Sequence, residues 1–184
     1  WAIEPHVTNL IEFLRSLGIS ITLTHDHTII IEGIKFAPSH AEFDVIHDYI
    51  ESGTFVILGA LTATPSIEIR HARIKDLRFF LAKCKEAWVR YDLQEEKDTI
   101  IVYNSRSCLK AINFQTNIFP GFPTDLQSPF SLLLTQAEWI SRVHEVLFEW
   151  RLNWLVEIEK MKWHIAIMNP HEALIFGKTH LKWA

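Results

Sequence analysis

EPHVTNLIEFLRSLGISITLTHDHTIIIEGI, residues 4–34, sets the plan of the fold. Val7, Leu10, Ile11, Leu14 and Leu17 fall on one face of a helix, which predicts an amphipathic helix over 4–17. Pro5 supplies a preset φ at a first-turn position that needs no N–H donor. Gly18 closes the helix, because the residue after a helix often takes positive φ. Ile19 to Thr24 and Thr28 to Ile34 are rich in β-branched residues and read as two strands around a His25-Asp26-His27 turn.

The same order recurs twice. Leu77 to Ala87 reads as a helix, and Val89 to Leu93 and Thr99 to Tyr103 as strands around a turn at 95–98. Leu152 to Lys162 is again a helix, and His164 to Met168 and Ala173 to Phe176 are strands around Asn169-Pro170. Placing Gly18, Trp88 and Trp163 at one shared helix-end position gives spacings of 70 and 75 residues, an internal repeat. Between these pieces, Glu42 to Ile46 reads as a strand, Asp48 to Ala60 as a helix and Ser66 to Arg70 as a strand. Ala111 to Gln115 then reads as a strand, Asp125 to Glu138 as a helix and Ser141 to Leu147 as a strand. A full unit is therefore β-α-β-α-β-β, which mixes parallel crossovers with an antiparallel hairpin. The fold class is mixed α/β.

Composition narrows the function. With 48% apolar and 22% charged residues the chain is globular, and a net charge of -4 with scattered Lys and Arg offers no basic face for nucleic acid. No apolar run is long enough to span a membrane, and no leader pattern opens the chain. Cys84 and Cys108 cannot build a disulfide framework and lack metal-ligand spacing, which predicts a cytoplasmic setting. The 10 histidines include His25 and His27 in one turn but no H-E-x-x-H spacing, so no metal or cofactor is expected.

Tryptophan is out of proportion: 7 Trp stand against 6 Gly, where Gly alone usually makes about 7% of a protein. Trp88 and Trp163 occupy the place that Gly18 fills, and Trp139 and Trp183 also stand at element ends. Either these residues cap the core with large rings, or their codons are UGA, which some uncultivated bacterial lineages read as glycine. The second reading is favoured for Trp88, Trp139 and Trp183.

The stretch FPGFPTDLQ, residues 119–127, carries the chemistry. Pro, Gly and Pro make a rigid approach to a helix start, where Thr124 or Asp125 could accept from free backbone N–H groups as a cap. A rigid loop on a scaffold is also where functional groups are held. PGFPTDLQ resembles the PGFPTD(M/L)QAQ motif of the UDP-N-acetylglucosamine enolpyruvyl transferases. VLFEWRLNWLVEIEKM, residues 146–161, resembles that family's F-E-N-R segment, and Ala2 to Pro5 its A-x-E-P helix start. HDYIESGTF, residues 47–55, resembles P-D-R-I-E-A-G-T-F. The motifs stand in the family order and span nearly the whole chain.

The resemblance implies repeated β-α-β-α-β-β units of the inside-out barrel type, present incompletely. Residues 1–47 would be the last unit of a first domain, and residues 48–184 most of a second, with a hinge near Asp48. It implies transfer of an enolpyruvyl group from phosphoenolpyruvate to the 3-hydroxyl of UDP-N-acetylglucosamine, in peptidoglycan synthesis. Asp125 would contact the sugar hydroxyl and accept its proton, and Leu147 would contact the nucleotide. Glu149 and Arg151 would support the site or simply pair with each other, and Asp48 is a further candidate. The family's catalytic cysteine loop and the cations that hold phosphoenolpyruvate match nothing in the chain, so the remainder of the enzyme is an implied partner. Tyr49 stands where the motif has Arg, Trp150 where it has a small residue, and Ser128-Pro129 where it has A-Q. Two alternatives remain: a non-catalytic relative that binds nucleotide-sugar or a protein partner, and the sister enzyme of the shikimate pathway, which the PGFPTDLQ and F-E-x-R strings disfavour.

Overall fold

The computed structural model describes residues 3–25, 28–35, 38, 40–178 and 180. Trp1, Trp183 and most of the His25-Asp26-His27 turn lie outside the described residues. The chain divides into two compact units, Trp1–His47 and Asp48–Ala184.

The first unit holds α1 (Pro5–Ser16) and the antiparallel hairpin of β1 (Ser20–Leu23) and β2 (Ile29–Glu32), with Ile21 opposite Ile31. Pro5 lies in the first turn. At the other end Gly18 takes φ 87°; its N–H donates to Arg15 O, and Ile19 N–H reaches back to Leu14 O at 3.2 Å. This pair of bonds satisfies the last carbonyls of the helix and needs a left-handed residue between them. Residues 42–46 form no strand. Ile46 N–H donates to Asn9 Oδ1 at 3.3 Å, and Phe43 packs on Phe13 with ring centroids 5.4 Å apart, contacts that hold the segment as a loop.

The second unit runs α2 (Tyr49–Thr62), β3 (Ser66–Ile69), α3 (Arg78–Glu86), β4 (Arg90–Gln94), β5 (Thr99–Tyr103), β6 (Asn113–Gln115), α4 (Gln127–Leu134), β7 (Trp139–His144), α5 (Trp154–Glu159), β8 (His164–Asn169) and β9 (Glu172–Gly177). Its strands form two open sheets, ordered β3-β5-β4 and β6-β7-β9-β8. The first order repeats within the second: β7, β9 and β8 pair antiparallel as β3, β5 and β4 do, and β6 joins β7 in parallel. Residues 113–177 are thus one full β-α-β-α-β-β unit. Alternation places Ile100 and Val102 of β5 and Ala173 and Ile175 of β9 in the core. Phe80, Phe114, Phe122 and Phe130 meet there, with centroids 4.8 to 5.9 Å apart in tilted and edge-on pairs.

The helix ends revise the repeat register. Trp88 has φ 64° and sits between Trp88 N–H to Lys85 O and Val89 N–H to Cys84 O, the same bonds that surround Gly18. In the third copy the left-handed residue is Lys162, φ 66°, and not Trp163. Trp163 is buried against Trp154 with centroids 6.1 Å apart and is a core residue. Trp139 (φ 76°) and Trp150 (φ 63°) join Trp88 in the left-handed region, and all three are exposed, at 79%, 56% and 57%.

α2 approaches the 124–126 turn through Gly53, where an added Cβ would lie 2.5 Å from Leu126 Cδ1. Leu126 is fully buried, so the displaced side chain has nowhere empty to go. Gly53→Val is expected to destabilise the second unit by about 1–3 kcal/mol, as overpacked cores do. Equilibrium urea unfolding checks this, and an unchanged midpoint would show that Leu126 yields freely.

Candidate active site

The loop that carries Asp125 is fixed at both ends. Thr116 N–H donates to His144 O at 3.0 Å, and Asn117 N–H to Phe122 O at 2.9 Å. The Phe122 ring is the loop's anchor, fully buried in the four-phenylalanine cluster. Beyond it Thr124–Leu126 forms a 3-10 turn, closed by Leu126 N–H to Pro123 O at 3.0 Å, before α4 begins at Gln127. Neither Thr124 nor Asp125 caps a helix by its side chain. The tighter turn satisfies its own N–H group, which leaves both side chains free for longer-range partners.

Asp125 uses that freedom on Arg151. Its Oδ1 accepts from the Arg151 guanidinium, whose carbon also lies 5.2 Å from the centroid of the Phe148 ring. Glu149 and Arg151 therefore do not pair with each other. The Glu149 carboxylate faces His171 Nε2 at 3.8 Å instead. The corner itself hangs on the β8–β9 turn: Glu145 N–H donates to His171 O at 2.7 Å, Trp150 N–H to Pro170 O at 3.1 Å, and His171 Nδ1 lies 2.6 Å from Glu145 O. Leu147 is half-buried on the same corner.

Asp48 plays a different part. It caps α2, accepting from Ile50 N–H at 2.7 Å and Glu51 N–H at 3.4 Å, a contact that stabilises the helix start. Beside it Tyr49 is buried and meets Phe119 edge-on, 6.2 Å between centroids, so the aromatic ring packs against the loop where the family motif has a cation.

Pattern reading missed Glu145. Its carboxylate is fully buried, and accepts from Thr116 Oγ1 at 2.9 Å, Thr124 Oγ1 at 2.7 Å and Leu147 N–H at 3.0 Å. The available signal was an acidic residue at an inward position of an apolar strand end, which requires partners.

Cys84 does not suit a nucleophile. Burial pushes the Cys84 thiol well above its ordinary range, and Cys108 sits against Ser105 O at 3.2 Å. Among the described residues no group of three metal-binding side chains forms, and no helix is long and apolar enough to cross a membrane. An open hollow of about 360 Å³ on β6 and β7 includes Lys83 and Arg142, but both cations are already paired. Lys83 meets Glu86 at 2.8 Å and Arg142 meets Glu172 at 2.5 Å; that hydrogen bond from Arg142 holds the Glu172 carboxyl below its usual value.

One full β-α-β-α-β-β unit follows a copy that lacks its first strand, an incomplete version of a repeated mixed α/β fold, and the Asp125–Arg151 pair joins the segments that follow β6 and β7. The family model described as EPSP synthase (3-phosphoshikimate 1-carboxyvinyltransferase) matches residues 1–181, and the chain belongs to that family. It is 35% identical over 179 residues to UDP-N-acetylglucosamine 1-carboxyvinyltransferase 1 of Clostridium perfringens (strain 13 / Type A), covering 97% of this chain and 42% of that one. It is also 35% identical to UDP-N-acetylglucosamine 1-carboxyvinyltransferase of Deinococcus deserti, over 97% of this chain and 41% of that one. The chain thus spans about two fifths of the length of these relatives. The enolpyruvyl transferase NikO from Streptomyces tendae shares the fold, with a TM-score of 0.83 and 23% identity over 95% of this chain and 41% of its own.

Proposed function

We propose that these residues form part of an enzyme that transfers the enolpyruvyl group of phosphoenolpyruvate to the 3-hydroxyl of UDP-N-acetylglucosamine, in the cytoplasm and at the start of peptidoglycan synthesis. The observation that carries this reading is the Asp125 carboxylate, held on a rigid turn with the Arg151 guanidinium as its partner. A carboxylate in reach of a sugar hydroxyl is a competent base, and a guanidinium beside it keeps it oriented until substrate arrives. Leu147 is assigned to the nucleotide, since it offers a half-buried apolar side chain on the same corner. Glu149 and His171 brace that corner from the other side, and Asp48 supports the site by starting α2. The 1–47 unit is read as the end of the first domain and 48–184 as most of the second. The nucleophilic cysteine and the cations for phosphoenolpyruvate are assigned to parts of the relatives that this chain does not cover.

The relatives named for the amino-sugar reaction favour that substrate over shikimate, in line with the PGFPTDLQ and F-E-x-R strings. The experiment is a graft. The matching segment of the Clostridium perfringens relative is replaced by these 184 residues, and phosphate release from phosphoenolpyruvate is followed with UDP-N-acetylglucosamine. Turnover that depends on the nucleotide-sugar is expected. A folded graft that binds the nucleotide-sugar without turnover would instead favour the non-catalytic module.

A further inference from the structure

We propose that Glu145 is a positioning residue, which ties the turn bearing Asp125 to the corner bearing Leu147 and Arg151 so that the carboxylate and guanidinium meet. The inference rests on the reading of Asp125 as the sugar-contacting base. Glu145 touches neither of the paired groups, yet its two oxygens collect three separate stretches of chain. Oε1 takes the hydroxyl of Thr116, just past β6, and the N–H of Leu147. Oε2 takes the hydroxyl of Thr124, the residue before Asp125. Thr116 Oγ1 in turn accepts from Val146 N–H at 3.0 Å, so the hydroxyl is oriented rather than free to rotate.

No regular element supplies this link. The 124–126 turn and the 145–151 corner are joined by side chains alone at this point, and buried polar networks of this kind fix one geometry when every member is satisfied. Glu145 is fully buried and all three donors are spent on it, which meets that condition. The arrangement also predicts which replacement succeeds. In Glu145→Gln the amide oxygen can stay on Thr116 and Leu147, while the amide N–H group faces Thr124, whose hydroxyl can turn and accept. Glu145→Ala leaves Thr124, Thr116 and Leu147 N–H without their partner. Thr124→Val removes only the strap to the Asp125 turn and keeps the side-chain volume.

The test is nuclear magnetic resonance of the chain with labelled arginine, reading the Arg151 guanidinium signals, which are identified by their loss in Arg151→Lys. Asp125→Asn should move those signals and so show that they report the pair. Glu145→Ala and Thr124→Val should bring them to the position of freely exposed arginines, and Glu145→Gln should leave them at the wild-type position. In the grafted enzyme, Glu145→Ala and Thr124→Val should lower kcat by roughly tenfold to a hundredfold, the usual effect of displacing a catalytic group from its supports. Glu145→Gln should restore most of it. Arg151 signals unchanged in Thr124→Val, with only the melting temperature lowered, would overturn the proposal and leave Glu145 a stabilising residue; this conservative variant decides even where Glu145→Ala does not fold. If the signals are released as expected but Asp125→Asn keeps full turnover, the positioning link stands and the assignment of Asp125 as base falls.

Discussion

Asp125→Asn in the grafted enzyme is expected to lower kcat by about 10²–10⁴-fold while changing the affinity for UDP-N-acetylglucosamine by less than about tenfold. Asparagine keeps the shape of the side chain and an oxygen that can still accept from Arg151, so the turn and the corner stay in register. What it loses is basicity. A proton leaving the sugar hydroxyl would have no carboxylate to go to, and that loss is felt in the transition state more than in the bound ground state. The pair is partly solvent-exposed, so its contribution to folding is small and the variant should melt close to the parent. Steady-state kinetics with both substrates varied separates the cases. A raised KM with unchanged kcat would make Asp125 a binding group only, and another residue would then have to take the proton.

The fold was legible because the sequence writes its helix–hairpin piece three times, and periodicity in 5–16, 78–86 and 154–159 survives even where the boundaries move. The boundaries moved for local reasons. The helix expected from Asp125 begins at Gln127 because Pro123 closes a 3-10 turn first, and the segment around Phe43 is no strand because Asn9 and Phe13 claim it. In the site, the motif gave Asp125 and Arg151 as separate letters. Their pairing across 26 residues of chain is a tertiary fact, and so is the choice of His171 as the partner of Glu149. Glu145 escaped notice for the same reason. A single acidic residue at a strand end looks like solvated surface until Thr116 and Thr124 are brought to it by the packing of Phe122.

Replacing Trp88, Trp139 and Trp150 by glycine together is expected to raise the stability of the chain, against the usual rule that removing a large aromatic side chain lowers it. All three hold positive φ, between 63° and 76°, where a residue with a Cβ is strained by about 1–2 kcal/mol and glycine is not. Trp139 is 79% exposed and forfeits little burial, while Trp88 and Trp150, at 57% and 56%, give up more, which offsets part of the strain relieved. Among the described residues, Lys110 Nζ lies 5.5 Å from the centroid of Trp88, a contact that returns about 0.5–1 kcal/mol at an exposed site. A net gain of about 1–3 kcal/mol over the three sites, additive if they are independent, corresponds to a rise of roughly 2–12 °C in melting temperature for a chain of this size. Trp154 and Trp163 run the other way. They pack on each other, Trp154 donates to Gln127 Oε1 at 3.3 Å, and either glycine replacement should cost about 3–5 kcal/mol or more. The two groups make a prediction about the gene as well. If the exposed set stands for glycine read from UGA, the codons at 88, 139 and 150 should be UGA, and those at 154 and 163 UGG. UGG at all five positions, together with a lower melting temperature for the triple variant, would mean that the left-handed tryptophans are genuine and that the surface their rings bury outweighs the strain.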